Sequence, residues 1–378
     1  RVGALVEDFV DAYVGPAALR DEALADGRHE PSSLHDEAQA LLDAVSRSDL
    51  EEDRAQWLLG QLRGLECVTA RLSGDHVTWS DEVERCFGMR PRHADEREFR
   101  ASHGRLDAVL PGAGDLAGRY NAWLDAAEVP RESTLRAIDA LTAALRRRTA
   151  AIVDLPPGER AAFETVTGEP WQAFNQYRGD LFSLVQVSQD LPRSLIDLVD
   201  VVAHEAYPGH HTERACKEQL LYRDGSRLEM SVMIVPAPEA VIAEGIATNA
   251  LEAAIRLDGL GALLDEAGDL GVRVDPDVAQ VVHVEGWNLF GAGANVARMI
   301  HEDGISHEEA ETYLREWALY PPDRAAKTVR FLTDPGSWTY ATAYTDGRRL
   351  CRSFMDRTPD GFRRLLTEQV TVASLLHA

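Results

Sequence analysis

The feature that most constrains this chain is a helix that must break immediately after an apolar stripe. Apolar residues recur at helical spacing between positions 195 and 202, and Pro192 and Ser194 predict where this helix begins. The stripe leads directly into residues 204–211, which have the sequence His-Glu-Ala-Tyr-Pro-Gly-His-His. Pro208 lacks a backbone N–H and its ring displaces the preceding turn, so a regular helix cannot continue through this segment.

Histidines on both sides of this break indicate a possible metal site. A mononuclear zinc hydrolase uses three protein ligands, leaves a fourth position open, and needs a carboxylate beside the attacking water. The usual helical solution is His-Glu-x-x-His, but here Pro208 stands four residues after His204. Seven residues along an unbroken helix span about 10 Å, which is too far for two ligands of one ion. A kink at Pro208 and Gly209 could fold a later histidine back beside His204, with Glu205 as the general base.

Two questions stay open from the spacing alone. The Pro-Gly pair could simply end the helix and leave both following histidines exposed on a loop, without any metal. If the kink does return a ligand to the site, the spacing does not decide between His210 and His211.

Helical periodicity dominates the remainder of the chain. It extends over residues 34–72, 100–127 and 133–153. Two short segments near 163–167 and 184–188 carry β-branched residues and predict strands instead. We therefore expect a mainly α fold with a small β-sheet beside the helix of the metal site.

The length of the chain fits one integrated domain. Its 378 residues suffice for a single large hydrophobic core. We expect an N-terminal helical half (1–160) and a C-terminal half that carries the metal site (161–378), folded as one unit.

The composition disfavours several classes of partner. A formal net charge of −24 argues against binding to nucleic acid or to anionic membranes, since both need clustered Lys and Arg. The four cysteines are far apart and predict free thiols in a reducing compartment. No apolar run reaches the roughly 20 residues that span a bilayer. A cytoplasmic location is therefore expected, and the oligomeric state stays open.

Residues 204–211 resemble the signature of DUF885, a bacterial family of uncharacterised proteins related to the gluzincin metallopeptidases. Three further segments resemble this family in the same order, namely 243–247, 298–310 and 330–347. The resemblance covers roughly residues 190–350. It implies a zincin-like helical metallopeptidase fold, with one zinc ion as cofactor.

The resemblance also implies which residues hold the metal. His204 is the first ligand. Related oligopeptidases have a glycine immediately before their second ligand, which favours His210 over His211 in that role. Gluzincins take the third ligand from a glutamate on a following helix, which here implies Glu244. The apolar neighbours of Glu244 agree with this role, because a carboxylate in such surroundings is costly unless it is paired or bound to a metal.

The remaining candidates concern the substrate. His211 is predicted either to donate to the substrate carbonyl oxygen or to hold a carboxylate close to the metal ligands. His301 and Tyr344 are predicted to stabilise the oxyanion, and Arg330 to hold a substrate carboxylate. By analogy with zinc peptidases, the strand near 184–188 could present an edge to an extended peptide.

The predicted activity is zinc-dependent hydrolysis of peptide bonds, of a carboxypeptidase- or oligopeptidase-like kind, by Glu205-assisted attack of metal-bound water. Imidazole and carboxylate ligands also suit Mn, Co or Fe. One alternative is a metal-dependent amidohydrolase acting on a small non-peptide amide. The other is a helical binding protein that has lost the metal.

Overall fold

The computed structural model describes residues 1–168, 171–190, 193–334 and 336–377. It is 64% helix and 8% strand, so the predicted mainly α fold with a small sheet is confirmed. Two positions used in the sequence analysis lie outside the described residues, namely Pro192 at the predicted helix start and Pro335 in the last family-like segment. Within the described ranges, no helix combines the length and apolar character needed to cross a membrane.

Helices are distributed over the whole chain. In chain order they are α1 (Ala17–Ala25), α2 (Pro31–Ser46), α3 (Glu52–Leu72), α4 (Trp79–Phe87), α5 (Glu96–Val109), α6 (Leu116–Ala126), α7 (Thr134–Thr149), α8 (Leu195–Glu205), α9 (His210–Lys217), α10 (Pro238–Ala254), α11 (Gly259–Ala267), α12 (Pro276–Arg298), α13 (His307–Trp317), α14 (Pro322–Thr333), α15 (Ala341–Arg357), α16 (Gly361–Thr367) and α17 (Val372–His377). Short π-helical turns extend α9 over Glu218–Asp224 and α12 over Met299–Asp303.

Local sequence explains where the predicted helical regions divide. The region 100–127 contains parts of α5 and α6, because Pro111 and Gly112 follow α5 and Gly112 adopts a positive φ of 95°. Asp115 then caps α6 by accepting a hydrogen bond from the backbone N–H of Gly118 at 2.7 Å. The metal-site helix α8 begins after Ser194, whose hydroxyl caps it at the N–H of Asp197.

Among the described residues, the strands form two small sheets. They are β1 (Val10–Tyr13), β2 (Arg160–Val166), β3 (Ala173–Gly179), β4 (Phe182–Ser188) and β5 (Val232–Ile234). The larger sheet has the order β2-β4-β3, with β2 parallel and β3 antiparallel to β4. β1 pairs with β5.

Both predicted strands exist, as β2 and β4, but their positions in the sheet differ from the expectation. The strand near 184–188 is β4, which lies in the centre of the sheet with Val185 and Val187 fully buried. It therefore cannot present an edge to a substrate. The edge beside the metal-site helix belongs to β3, which the sequence analysis did not predict.

The hydrophobic core spans both halves of the chain. One cluster of buried residues includes Phe99 and Leu141 from the N-terminal half and Val199 and Leu350 from the C-terminal half. Helix α10 is its most enclosed element, since residues 237–251 are all buried. α10 packs against α8 and α15, and this position brings its glutamate side chains to the metal-site helix.

Candidate metal centre

A tight reversal of the chain separates the two histidine-bearing helices. α8 ends at Glu205 and α9 begins at His210, so the predicted break at Pro208 is present. The two helices approach so closely that a Cβ on Gly209 would overlap the carbonyl oxygen of His204. The φ of Gly209 is −77°, so glycine is required here for space and not for a left-handed conformation.

The reversal brings together His204, His210 and Glu244, called the ligand triad below. One potential ligand atom of each residue lies within 4.8 Å of the other two. Nε2 of His204 is 3.4 Å from Oε2 of Glu244, and Nε2 of His210 is 3.6 Å from Oε1. Tetrahedral ligands at about 2.0–2.1 Å from a zinc ion lie about 3.3 Å from one another, so these separations fit a single ion.

A buried atom of the triad supports this fit. Oε2 of Glu244 has no hydrogen-bond partner among the described residues. An unpaired buried carboxylate oxygen is unfavourable, and a cation would supply the interaction it lacks. Two imidazoles and one glutamate are also a ligand set found in catalytic zinc sites. The residues therefore fit a zinc-type ion, although Mn, Co or Fe could accept the same ligands.

The two histidines have different electrostatic surroundings. Burial alone would lower the pKa of His204, but Glu244, Glu205 and Asp200 more than offset it and raise that pKa to about 9. Carboxylates that stabilise a protonated imidazole in this way also favour a bound cation. Burial, with the nearby His204, lowers the pKa of His210 well below its usual value. His210 therefore keeps a free lone pair.

Glu205 lies beside the triad at the wall of the same cavity. Burial raises the pKa of its carboxyl group to about 7, and the charge of Glu244 acts in the same direction. A carboxylate with a pKa in this range can both accept and donate a proton near neutral pH. Asn175 on β3 donates its amide N–H to the backbone carbonyl of Glu205 and so links the edge strand to the end of α8.

Two tyrosines at the start of α15 face the triad, Tyr340 at its N-cap and Tyr344 in its first turn. The hydroxyl of Tyr340 donates to Oε1 of Glu244 at 2.8 Å. The ring of Tyr344 lies over the imidazole of His204, with 6.3 Å between centroids. Burial raises the pKa of both tyrosines well above the usual value, so both remain hydrogen-bond donors. The sequence analysis selected Tyr344 and missed Tyr340, although a spacing of four residues places both on one helix face.

Glycines explain how Glu244 and Tyr344 come to lie close together. A Cβ on Gly245 would meet the carbonyl oxygen of Gly347. A Cβ on Gly347 would overlap the carbonyl oxygen of Val241. α10 and α15 therefore cross at a distance that only glycine permits. Gly245 directly follows Glu244, and Gly347 lies three residues after Tyr344, so the close crossing sets the distance between the two functional side chains.

His211 points away from the triad. Its Nδ1 is 2.9 Å from the hydroxyl of Ser183, and its Nε2 is 2.8 Å from Oε2 of Glu159. The hydroxyl of Tyr207 donates to the same carboxylate oxygen. The side chain of His211 is fully buried, which leaves it no access to a substrate. The structure thus brings His210, and not His211, to Glu244.

His301 and Arg330 do not line the cavity of the triad. Nε2 of His301 is 2.7 Å from the carbonyl oxygen of Leu332, and its ring packs between Trp79 and Trp338. Arg330 is exposed on α14. Tertiary packing determines where the side chains of His301 and Arg330 point, so their residue types alone could not place them.

Several further residues complete the site. Trp287 stacks parallel to His204 at 6.3 Å between ring centroids, and its indole N–H is 3.4 Å from Asp200. Arg214 lies one turn after His210 on α9, lines the cavity, and forms an ion pair with Asp11 at 2.8 Å. Arg214 follows His210 by four residues in the sequence, and this spacing places both side chains on the same face of a helix.

Comparisons with known proteins identify related folds. No family model matches this chain, and no curated protein sequence does. A structure from Colwellia psychrerythraea, described as a "putative lipoprotein", has a TM-score of 0.56 at 15% identity over 90% of this chain and 65% of that chain. A lipoprotein of unknown function from Shewanella oneidensis, also described as "putative", has a TM-score of 0.50 at 15% identity over 89% of this chain and 69% of that one. The chain therefore spans about two thirds of each, and the likeness at this identity concerns the fold alone.

Proposed function

We propose that this chain is a metal-dependent hydrolase of the peptidase type, with one zinc-type ion held by the ligand triad. The observation that carries the proposal is the convergence of His204, His210 and Glu244, from three different helices, at a cavity that Glu205 also lines. The triad lies at the wall of a cavity of about 350 Å³. Three protein ligands that open on a cavity are typical of catalytic zinc sites, whereas structural sites are closed by a fourth ligand.

Each residue of the site has a separate role in the proposed reaction. A bound ion would lower the pKa of a water molecule and polarise the substrate carbonyl group. Glu205 takes the proton from the attacking water and delivers it to the leaving nitrogen. Tyr344 donates a hydrogen bond to the carbonyl oxygen as negative charge develops there. Tyr340 holds the carboxylate of Glu244 in position.

The outer edge of β3 is suited to an extended substrate. β3 is an edge strand, and Ala173, Phe174 and Asn175 line the cavity of the triad. Main-chain groups on such an edge can pair with an extended peptide, as they do in other peptide-binding proteins. This geometry favours a peptide over a small non-peptide amide.

We further propose membership of the DUF885 family. Three of the four segments that resemble the family contribute to one site: 204–211 supplies His204 and His210, 243–247 supplies Glu244, and the segment ending at Gly347 supplies the close crossing of α10 and α15. Separate resemblances that meet in space support a common origin more strongly than one motif does.

Elemental analysis of protein purified without chelators tests the metal. We expect about one ion per chain, lost in His204→Ala and retained in the control His307→Ala, which alters an exposed histidine on α13. Glu205→Gln should retain the ion and lose turnover by a factor of at least a hundred, as removal of a general base does. A wild-type protein that takes up no zinc, and whose stability zinc does not change, would refute the proposal.

A substrate panel tests the type of bond. Unmodified peptides of two to ten residues are compared with acyl-amino-acid conjugates under the same metal loading. Turnover of peptides that is abolished by Glu205→Gln supports a peptidase. Turnover that is confined to the conjugates would instead support an amidohydrolase and contradict the peptidase proposal.

A further inference from the structure

The cavity beside the ligand triad has an exposed aromatic wall. Phe174 on β3 is 38% exposed and Phe331 on α14 is 40% exposed, and both line this cavity. Trp171 lines it as well, with its ring centroid 5.8 Å from that of Phe174. Single exposed apolar side chains are ordinary on a protein surface. Three aromatic side chains from two distant parts of the chain at one cavity are a more specific arrangement.

The charged side chains of the cavity are partly engaged with one another. Arg214 pairs with Asp11 through Nη2 at 2.8 Å, while its buried Nε and Nη1 have no partner among the described residues, and Glu239 lies 3.5 Å from Lys217. An anionic substrate group that approached Arg214 would also meet the carboxylate of Glu205 in the same cavity. The aromatic faces, in contrast, remain partly exposed to solvent and would gain from contact with an apolar group.

The rest of the lining agrees with an apolar occupant. Ala240 and Ala243 of α10 present small side chains, and Ile234 and Val235 at the end of β5 present branched apolar ones. The cavity volume of about 350 Å³ is at the lower end of the range for small-molecule sites. It therefore suits one large side chain and its adjoining bond better than a folded protein segment.

We propose that Trp171, Phe174 and Phe331 form a specificity pocket for a large apolar or aromatic side chain of the substrate, next to the bond that is cleaved. This inference rests on the proposed function, because it names the class of substrate for the same site. Arg330, which the sequence suggested as a substrate-binding residue, precedes Phe331, and it is Phe331 that lines the cavity.

Binding to metal-free protein tests the pocket without any turnover. N-acetyl-phenylalanine amide and N-acetyl-alanine amide are titrated calorimetrically into chelator-treated wild-type protein. Burying the additional aromatic group should give a preference of about tenfold to a hundredfold for the phenylalanine compound. Phe174→Ala and Phe331→Ala should each reduce this preference at least threefold. Leu257→Ala, which alters a side chain that is 97% exposed elsewhere, should leave it unchanged.

Kinetics on metal-loaded protein separate the pocket from the proposed function. Peptides that differ at one position in Ala, Leu, Phe, Lys or Glu should give the highest kcat/KM with Phe, and both phenylalanine variants should flatten this series. Hydrolysis without an apolar preference, or with a preference for Lys or Glu, overturns the pocket and leaves the hydrolase intact. Selective binding of the phenylalanine amide by a protein that hydrolyses nothing supports the pocket and refutes the hydrolase.

Discussion

Two adjacent histidines perform different tasks because successive residues on a helix point about 100° apart. His210 faces Glu244 in the cavity, whereas His211 faces Glu159 in the core. Glu159 accepts hydrogen bonds from His211, Tyr207 and Arg146. These contacts attach the turn between α8 and α9 to the start of β2, so His211 stabilises the geometry that its neighbour uses.

The pH dependence of stability should reveal this contact. Burial would raise the pKa of Glu159, but the hydrogen bonds from His211, Tyr207 and Arg146, together with the charge of His211, more than offset it and lower the pKa below 4.5. A carboxyl group with a lowered pKa in the folded state contributes stability above about pH 4.5, which is lost as the pH falls through its folded pKa. We expect Glu159→Gln to lower the free energy of unfolding at pH 7 by about 1–3 kcal/mol.

Urea titrations between pH 3 and pH 7 provide the measurement. The wild-type free energy of unfolding should fall more steeply below pH 4.5 than that of Glu159→Gln. The exposed Glu164→Gln on β2 serves as the control and should follow the wild-type curve. Parallel curves for all three proteins would show that Glu159 carries no such contribution.

Tyr340, which caps α15, and Tyr344 in its first turn should have different effects when they are substituted. Tyr340→Phe removes the hydrogen bond to Glu244, and loss of such a supporting contact typically weakens metal affinity by about 10–100-fold. Tyr344→Phe leaves Glu244 untouched and should lower kcat with little change in metal affinity. Competition titrations with a zinc indicator, followed by kinetics at saturating metal, measure both quantities. Equal effects of the two substitutions on metal affinity would contradict this division.

At the scale of elements, the crossing of α10 and α15 determines the site. Gly347→Ala places a Cβ only 2.3 Å from the carbonyl oxygen of Val241, so the two helices must separate. Overpacking of this kind costs about 1–3 kcal/mol, and here it also moves Tyr344 away from the triad. We expect a lower melting temperature together with weaker zinc binding.

Gly104→Ala is the matched control for this substitution. Gly104 lies on α5 and is exposed, and a Cβ there would meet no described residue outside its own helix within 4 Å, so alanine should be neutral or stabilising by about 0.5–1 kcal/mol. Circular dichroism and a zinc titration on both variants make the comparison. If Gly347→Ala behaved like Gly104→Ala, the close crossing would not control the site.

Elements with strong local signals could be predicted from the sequence. The apolar stripe and Ser194 mark α8, and Pro208 marks its end, because periodicity, capping and the missing N–H act within a few residues. β3 escaped prediction because its outward residues, such as Gln176 and Arg178, give it a polar character typical of an exposed edge strand.

The candidate site was predictable only as far as its chemistry is local. A histidine beyond a broken helix could be proposed as a ligand from the local sequence, whereas the family resemblance implied Glu244 as its partner and the apolar neighbours of Glu244 agreed with it. The direction of His301 depends on packing between Trp79 and Trp338, and that of Arg330 depends on the exposed face of α14. Such directions arise from contacts between elements distant in sequence, which one sequence does not display.

At the scale of the whole molecule, residues from distant parts of the chain support the site. Asp11 on β1 pairs with Arg214 beside His210, and Tyr340 near the C-terminal end holds Glu244.

The division into residues 1–160 and 161–378 stays a prediction, as do the cytoplasmic location and the absence of nucleic-acid and membrane partners. The net charge of −24 includes the carboxylates around the triad, and it favours cations over anions at this cavity.

Because the triad joins α8, α9 and α10, a bound ion should stabilise the entire core. An ion that binds only the folded chain adds about 4 kcal/mol at a free concentration a thousandfold above its Kd. We expect chelation to lower the melting temperature by several degrees and added zinc to restore it. His204→Ala should melt at the same temperature with chelator or zinc, while His307→Ala should respond like wild type. A zinc response that persists in His204→Ala would place the ion elsewhere in the molecule.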